Sequence, residues 1–259
     1  MLILSGLEIF ERGQTYNFFE TTNGPNPPDT SRFIGFFMIA KRIQNKLIAG
    51  IGHEPTNDQL NLIHRLANYL GYANTKDLFI IRGYAGTGKT TVIGSVVAQV
   101  KAEGGKVFLL APTGRAAKIM SKYSGIPAYT IHRFIYRVAE GAFGLSRFVR
   151  KENKYKNAVF IVDEASMING EYDGQVNLLE DLLEFVFAGE NARLILVGDI
   201  AQLPPVNAEL SPALIPVWFR DRFGFKVDGY ELKEVVRQSG ESGVLATATD
   251  LREQLTVGN

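Results

Sequence analysis

Gly83-Tyr-Ala-Gly-Thr-Gly-Lys-Thr90 fits the pattern G-x-x-x-x-G-K-[ST] of a phosphate-binding loop. The run before it, Leu78-Phe-Ile-Ile81, reads as a buried strand, and Thr91 to Val100 reads as a helix. Such a loop works between a strand and a helix. Its backbone N–H groups face phosphate oxygens, and the helix N-terminus adds partial positive charge. Lys89 is expected at the β- and γ-phosphates of a nucleotide, with the Thr90 hydroxyl on Mg²⁺. Gly86, Thr87, Gly88 and Thr91 complete the stretch that would enclose the phosphates. The bland alternative is a glycine-rich turn with a chance lysine, and the flanking strand and helix argue against it.

The chain has 259 residues, 46% of them hydrophobic, enough for one large α/β domain with appendages. It has no cysteine, which excludes disulfides, thiolate metal sites and cysteine nucleophiles and suits a reducing cytoplasm, the expected location. The start, Met-Leu-Ile-Leu-Ser-Gly-Leu-Glu, lacks the basic region of a signal peptide. The most apolar patch, Phe33 to Ala40, is too short to span a bilayer, so a soluble protein is expected. The net charge of +1 conceals a segregation. From Lys101 to Asn157 there are twelve Lys/Arg against three Glu; from Asp163 to Glu209 there are ten Asp/Glu against one Arg. A basic segment beside a phosphate loop suggests a polyanion track, most simply nucleic acid. A solvated surface is the competing explanation.

Three further apolar runs read as buried parallel strands: Val107 to Ala111, Val159 to Val162 and Leu194 to Val197. Helical patterns at Arg115 to Lys122 and Val176 to Phe187 lie between them. The expected fold is α/β, a parallel sheet flanked by helices with its ligands at the carboxyl ends of the strands. Upstream, Arg32 to Ile48 reads as a packed helix with no assignable function. Asp58 to Leu70 reads as another, with Leu60, Ile63, Leu66, Ala67 and Leu70 on one face and Thr56-Asn-Asp-Gln59 as a capping box.

Phe160-Ile-Val-Asp-Glu-Ala-Ser166 is an apolar strand ending in adjacent carboxylates. Asp163 is the expected acidic partner of Thr90 on Mg²⁺, and Glu164 the expected base for an attacking water. Leu196-Val-Gly-Asp-Ile-Ala-Gln-Leu-Pro-Pro205 supplies Gln202, whose amide could sense a γ-phosphate.

Together these stretches resemble the superfamily 1 helicases of the RecD and Dda branch, from about Pro55 to Leu255. Gly86 to Thr91 is similar to motif I, Asp163-Glu-Ala-Ser166 to motif II, and Gly198-Asp-Ile-Ala-Gln-Leu-Pro-Pro205 to motif III. Ala111-Pro-Thr-Gly-Arg-Ala-Ala117 is similar to motif Ia, and Thr130-Ile-His132 to motif Ib. Leu232-Lys-Glu-Val-Val-Arg-Gln238 resembles motif IV, whose arginine, here Arg237, approaches the γ-phosphate.

The resemblance implies a RecA-like P-loop ATPase using ATP and Mg²⁺ to drive a 5′→3′ DNA helicase. It makes Gln59 an adenine contact, a role compatible with the capping box. It sets Pro112, Thr113, Arg115, Thr130 and His132 on single-stranded DNA, with packing or helix capping as the alternative for His132. It also makes the basic stretch at about 133–157 a small insertion, either a strand-separating hairpin or a loose surface loop. The domains expected are an N-terminal extension of unassigned role (1–54), a first RecA-like domain (55–230) and the start of a second (231–259). By the resemblance the rest of that second domain, with motifs V and VI, is absent from this sequence, so the 231–259 segment is expected to be truncated. The ATP seam is then expected to need the missing domain or a partner protein, and the chain alone to be weakly active or inactive. A nucleotide-gated single-strand-binding module with little ATPase activity is the alternative function.

Overall fold

The computed structural model describes residues 8–11, 14–17, 30–72, 77–140, 146–170, 177–202 and 211–236. A two-stranded antiparallel hairpin, β1 (Glu8–Glu11) and β2 (Gln14–Asn17), precedes helices α1 (Thr30–Ile51) and α2 (Asn57–Tyr72). Then follow β3 (Asp77–Gly83), α3 (Lys89–Ala102), β4 (Lys106–Ala111), α4 (Gly114–Ser124), β5 (Ala128–Thr130) and the short α5 (Ile131–Ile135). A second hairpin, β6 (Tyr136–Glu140) with β7 (Ser146–Arg150), leads to β8 (Ala158–Val162), α6 (Leu178–Phe187), β9 (Arg193–Gly198), α7 (Pro216–Phe223) and β10 (Lys226–Leu232).

Six strands form one parallel sheet in the order β10-β3-β9-β8-β4-β5. The apolar runs are continuous because both faces of this sheet are covered. Leu78, Ile80, Phe160, Val162, Leu194 and Leu196 pack toward α5, α6 and α7. Their alternating neighbours Phe79, Ile81, Val159, Ile161, Ile195 and Val197 pack toward α1, α2 and α3. Four strands were expected where six are found. The two unforeseen strands, β5 and β10, are the edges of the sheet; they are half-buried along most of their length and carry no apolar run.

The helix α1 packs directly on the core. Ile43, Leu47 and Ile51 of α1 recur at helical spacing and are buried with Leu62, Leu66, Val92 and Val96, making α1 one layer of the ATPase fold. Likewise the sheet runs through the expected boundary at 230/231, since Glu231 and Leu232 pair with Arg82 and Gly83. On α2 the buried face is Leu62, Ile63, Leu66, Ala67 and Tyr69, while Leu60 and Leu70 lie half-buried at its margins. Among the described residues no helix is long and apolar enough to cross a membrane.

Candidate functional site

The parallel register brings the motif-bearing strand ends to one edge. Gly83 pairs with Leu232, Arg82 with Gly198, Leu196 with Val162, and Ala111 with Thr130. The loop after β3 turns through two left-handed glycines, Gly86 (φ 81°) and Gly88 (φ 86°). A β-carbon at Gly88 would also meet Gln59 Nε2, which would have to shift, and the left-handed backbone itself strains any residue but glycine here. Lys89 Nζ lies within the loop and donates to Gly83 O at 2.7 Å and Tyr84 O at 2.8 Å. Thr87 is buried and donates to Tyr84 O at 2.8 Å, whereas Thr90 is exposed at the start of α3 and Thr91 half-buried behind it.

Gln59 forms the capping box: its Oε1 accepts from Thr56 N–H (3.1 Å) and its own N–H donates to Thr56 Oγ1 (3.3 Å). Its Nε2 is buried beside the phosphate loop and has no hydrogen-bond partner among the described residues. A buried orphan donor is costly, and a nucleotide base with an acceptor edge would satisfy it. The residues therefore fit a nucleotide.

Asp163 ends β8 with its carboxylate fixed by two donors, Tyr123 Oη at 2.8 Å and Glu164 N at 2.9 Å. Among the described residues no group of three or more His, Asp or Glu could cage a metal. Mg²⁺ takes one or two carboxylates and completes its shell with phosphates and water, a role open to the Asp163 carboxylate. Glu164 has left-handed backbone angles, φ 56° and ψ 36°, an uncommon state for a residue with a side chain. Its carboxyl is pushed above the usual range by burial and by the Asp163 charge, opposed by a hydrogen bond from Gln202 and the charge of Lys89. Gln202 in turn accepts from Ser166 Oγ at 3.4 Å. Lys89, Asp163, Glu164 and Gln202 thus share one electrostatic neighbourhood. Arg237 lies outside the described residues.

Two residues at this edge were not anticipated. Tyr123, on α4, looked like an ordinary helix residue until the fold laid it against Asp163. Asp58 looked like a first-turn acid of α2, yet its carboxylate accepts from Lys233 N (2.7 Å), Glu234 N (2.8 Å) and Tyr230 Oη (2.9 Å). Val236 N then donates to Gly86 O at 3.0 Å, tying the chain after β10 to the phosphate loop. Burial pushes the Asp58 carboxyl up, but the Glu234 and Lys233 amides and the Tyr230 hydroxyl outweigh it and hold it below the ordinary range. A depressed folded-state carboxylate contributes stability above its unfolded value of about 3.9 and loses it as pH falls through the folded value. Asp58→Asn is therefore expected to lower unfolding stability by about 1 kcal/mol at neutral pH, allowing for partial exposure. The deficit should close in acid; urea unfolding at pH 7 and pH 3 checks both.

The residues expected on nucleic acid occupy the same edge beyond β4 and β5. Thr113 and Thr130 cap α4 and α5, accepting from Ala116 N and Arg133 N at 3.2 Å each. Pro112 is half-buried and Arg115 exposed beside them. His132 is exposed, its ring 5.7 Å from Tyr136 and 6.4 Å from Phe148 of the β6–β7 hairpin. Residues 136–140 and 146–150 of the basic stretch are a paired hairpin with Val138 and Phe148 largely exposed.

Folding partly undoes the charge segregation. Arg150 pairs with Asp181 and Glu184, and Lys156 with Glu190, so the end of the basic segment is neutralised by the acidic one. Arg115, Lys118, Lys122 and Arg133 have no such acidic partner among the described residues.

A six-stranded parallel sheet with a glycine–lysine loop, a strand-end acid pair and a third polar turn at its carboxyl edge defines a P-loop ATPase domain. Residues 56–256 match the AAA domain family (AAA_30), and the chain belongs to that family. It is 34% identical over 158 residues to the ATP-dependent RecD2 DNA helicase of Deinococcus radiodurans, covering 60% of this chain and 19% of that protein. It is 34% identical over 176 residues to the ATP-dependent DNA helicase Dda of Enterobacteria phage T4, covering 66% of this chain and 37% of that one. The Pif1 helicase structure from Candida albicans aligns over 76% of this chain and 43% of its own, with TM-score 0.48 and 22% identity. Within the AAA domain family the chain is thus similar to helicases of the RecD/Dda kind, and it spans well under half the length of the curated relatives it matches.

Proposed function

We propose that this chain is the ATP-binding motor domain of a DNA helicase that hydrolyses ATP while gripping single-stranded DNA. The observation that carries the reading is the gathering of Lys89, Asp163, Glu164 and Gln202 at one strand-end edge. In this reading Gly86 to Thr91 enclose the phosphates, Lys89 neutralises them, and Gln59 Nε2 reads the adenine. Thr90 and Asp163 would hold Mg²⁺, with Tyr123 fixing the Asp163 carboxylate, and the ion would neutralise phosphate charge. Glu164 takes the proton of the attacking water, and Gln202 orients that water and registers the γ-phosphate. Arg237, by the RecD/Dda kinship, would add a cation at the γ-phosphate. Single-stranded DNA crosses Pro112, Thr113, Arg115, Thr130 and His132, with the β6–β7 hairpin as the strand-separating wedge. The 5′→3′ direction rests on the RecD/Dda kinship alone.

Arg115→Ala tests the nucleic-acid half. Single-strand affinity should fall for every sequence, and the slope of log affinity against log salt should flatten by about 0.7 for one lost phosphate contact. Affinities matching the parent at all salt concentrations would remove the DNA assignment.

A further inference from the structure

A groove of about 460 Å³ opens between α4 and the edge strand β5, lined by Lys118, Lys122, Tyr129, Thr130 and Arg133 among others. It begins at Gly114 and Thr130, where the proposed DNA track ends, and continues away from the nucleotide edge along α4.

Three features set it apart from an ordinary solvated face. First, Arg115, Lys118 and Lys122 recur at spacings of three and four along α4, which contains no acidic residue. They form a single-sign stripe in which each like-charge pair disfavours the helix. Elsewhere such stripes are neutralised: Glu180, Asp181 and Glu184 of α6 by Arg222 and Arg150, and Arg42 and Lys46 of α1 by Glu103. Second, Arg133 reaches the same groove from α5 with its guanidinium 6.0 Å from the Tyr129 ring centre, and no carboxylate lines the wall. Third, β5 is the last strand of the sheet, so the groove is open along the outer edge.

We infer that this groove is a second phosphodiester-binding site, which receives the backbone of nucleic acid after it leaves the track at Thr130 and turns over the sheet edge onto α4. The inference rests on the nucleic-acid reading above. Lys118 and Lys122 act as point charges for successive phosphates, while Arg133, held over Tyr129, presents its planar donors to a third. A strand that ends inside the track never reaches the groove, whereas a longer one does.

Oligonucleotide length separates the two sites. The double variant Lys118→Glu/Lys122→Glu should bind an oligothymidylate of about 6 nucleotides within about twofold of the parent, and one of about 16 nucleotides about tenfold more weakly. Its salt slope on the longer strand should be smaller by about 1.4, two contacts' worth. Both lysines are exposed, and thermal unfolding checks that the fold is kept; Lys118→Gln/Lys122→Gln should give a smaller loss of the same length dependence. A loss that appears only when a duplex end is joined to the short strand also supports the site and assigns its phosphates to the duplex. Equal affinities of parent and double variant for the long strand and the duplex-tailed probe, with Arg115→Ala still weakening both lengths, overturn the groove and leave the track standing. If Arg115→Ala also changes nothing, the nucleic-acid reading itself falls.

Discussion

Glu164→Gln is expected to bind nucleotide as the parent does and to turn over at least about 10²-fold less of it, the scale of a lost general base. The amide keeps the size of the side chain and can still hydrogen-bond Gln202, but it accepts no proton. Stability should move the other way. A carboxyl raised on folding contributes stability only at low pH and loses it as pH rises through the folded value. Removing the charge at neutral pH should therefore leave the melting temperature unchanged or higher. A variant that hydrolyses ATP at the parent's rate would exclude Glu164 as the base.

Lys89→Ala is expected to weaken nucleotide binding about tenfold to a hundredfold, the worth of charge-assisted contacts to two phosphates. The lysine also donates to Gly83 O and Tyr84 O, so its removal loosens the loop as well as deleting a cation. Lys89→Met keeps the aliphatic stem and so separates lost packing from the loss of the ammonium group, its charge and its donation together. If both variants lose affinity alike in calorimetry, the ammonium group dominates; equal affinity in parent and variants would remove nucleotide binding from this loop.

The central sheet was legible because β3, β4, β8 and β9 are covered on both faces and so must be apolar throughout. Their carboxyl ends could be read for the same reason: Asp163 and Glu164 are polar residues following a run that tolerates none. The edge strands were not legible. Lys226-Val-Asp-Gly-Tyr-Glu-Leu232 alternates like many exposed segments, and only pairing with β3 makes it a strand. Tyr123 and Asp58 were missed for a related reason. Each acts across the fold on a residue distant in sequence, and nothing local distinguishes a helix tyrosine or a first-turn acid with such a partner. The charge asymmetry was read correctly in sequence but only in part in space, because hairpin and helix contacts that neutralise Arg150 and Lys156 form on folding. Capping could be foreseen at Thr56, where spacing alone announces it.

The backbone of Glu164 has a consequence for any effort to make this protein withstand heat. At φ 56° glycine is the relaxed residue, and it has no side chain to take a proton. Adaptation that rewards heat resistance alone has a downhill route through this one codon, and each step along it empties the site of its proposed base. A glutamate that persists there is held against the preference of its own backbone, which makes position 164 a place where durability and work are exchanged one for the other.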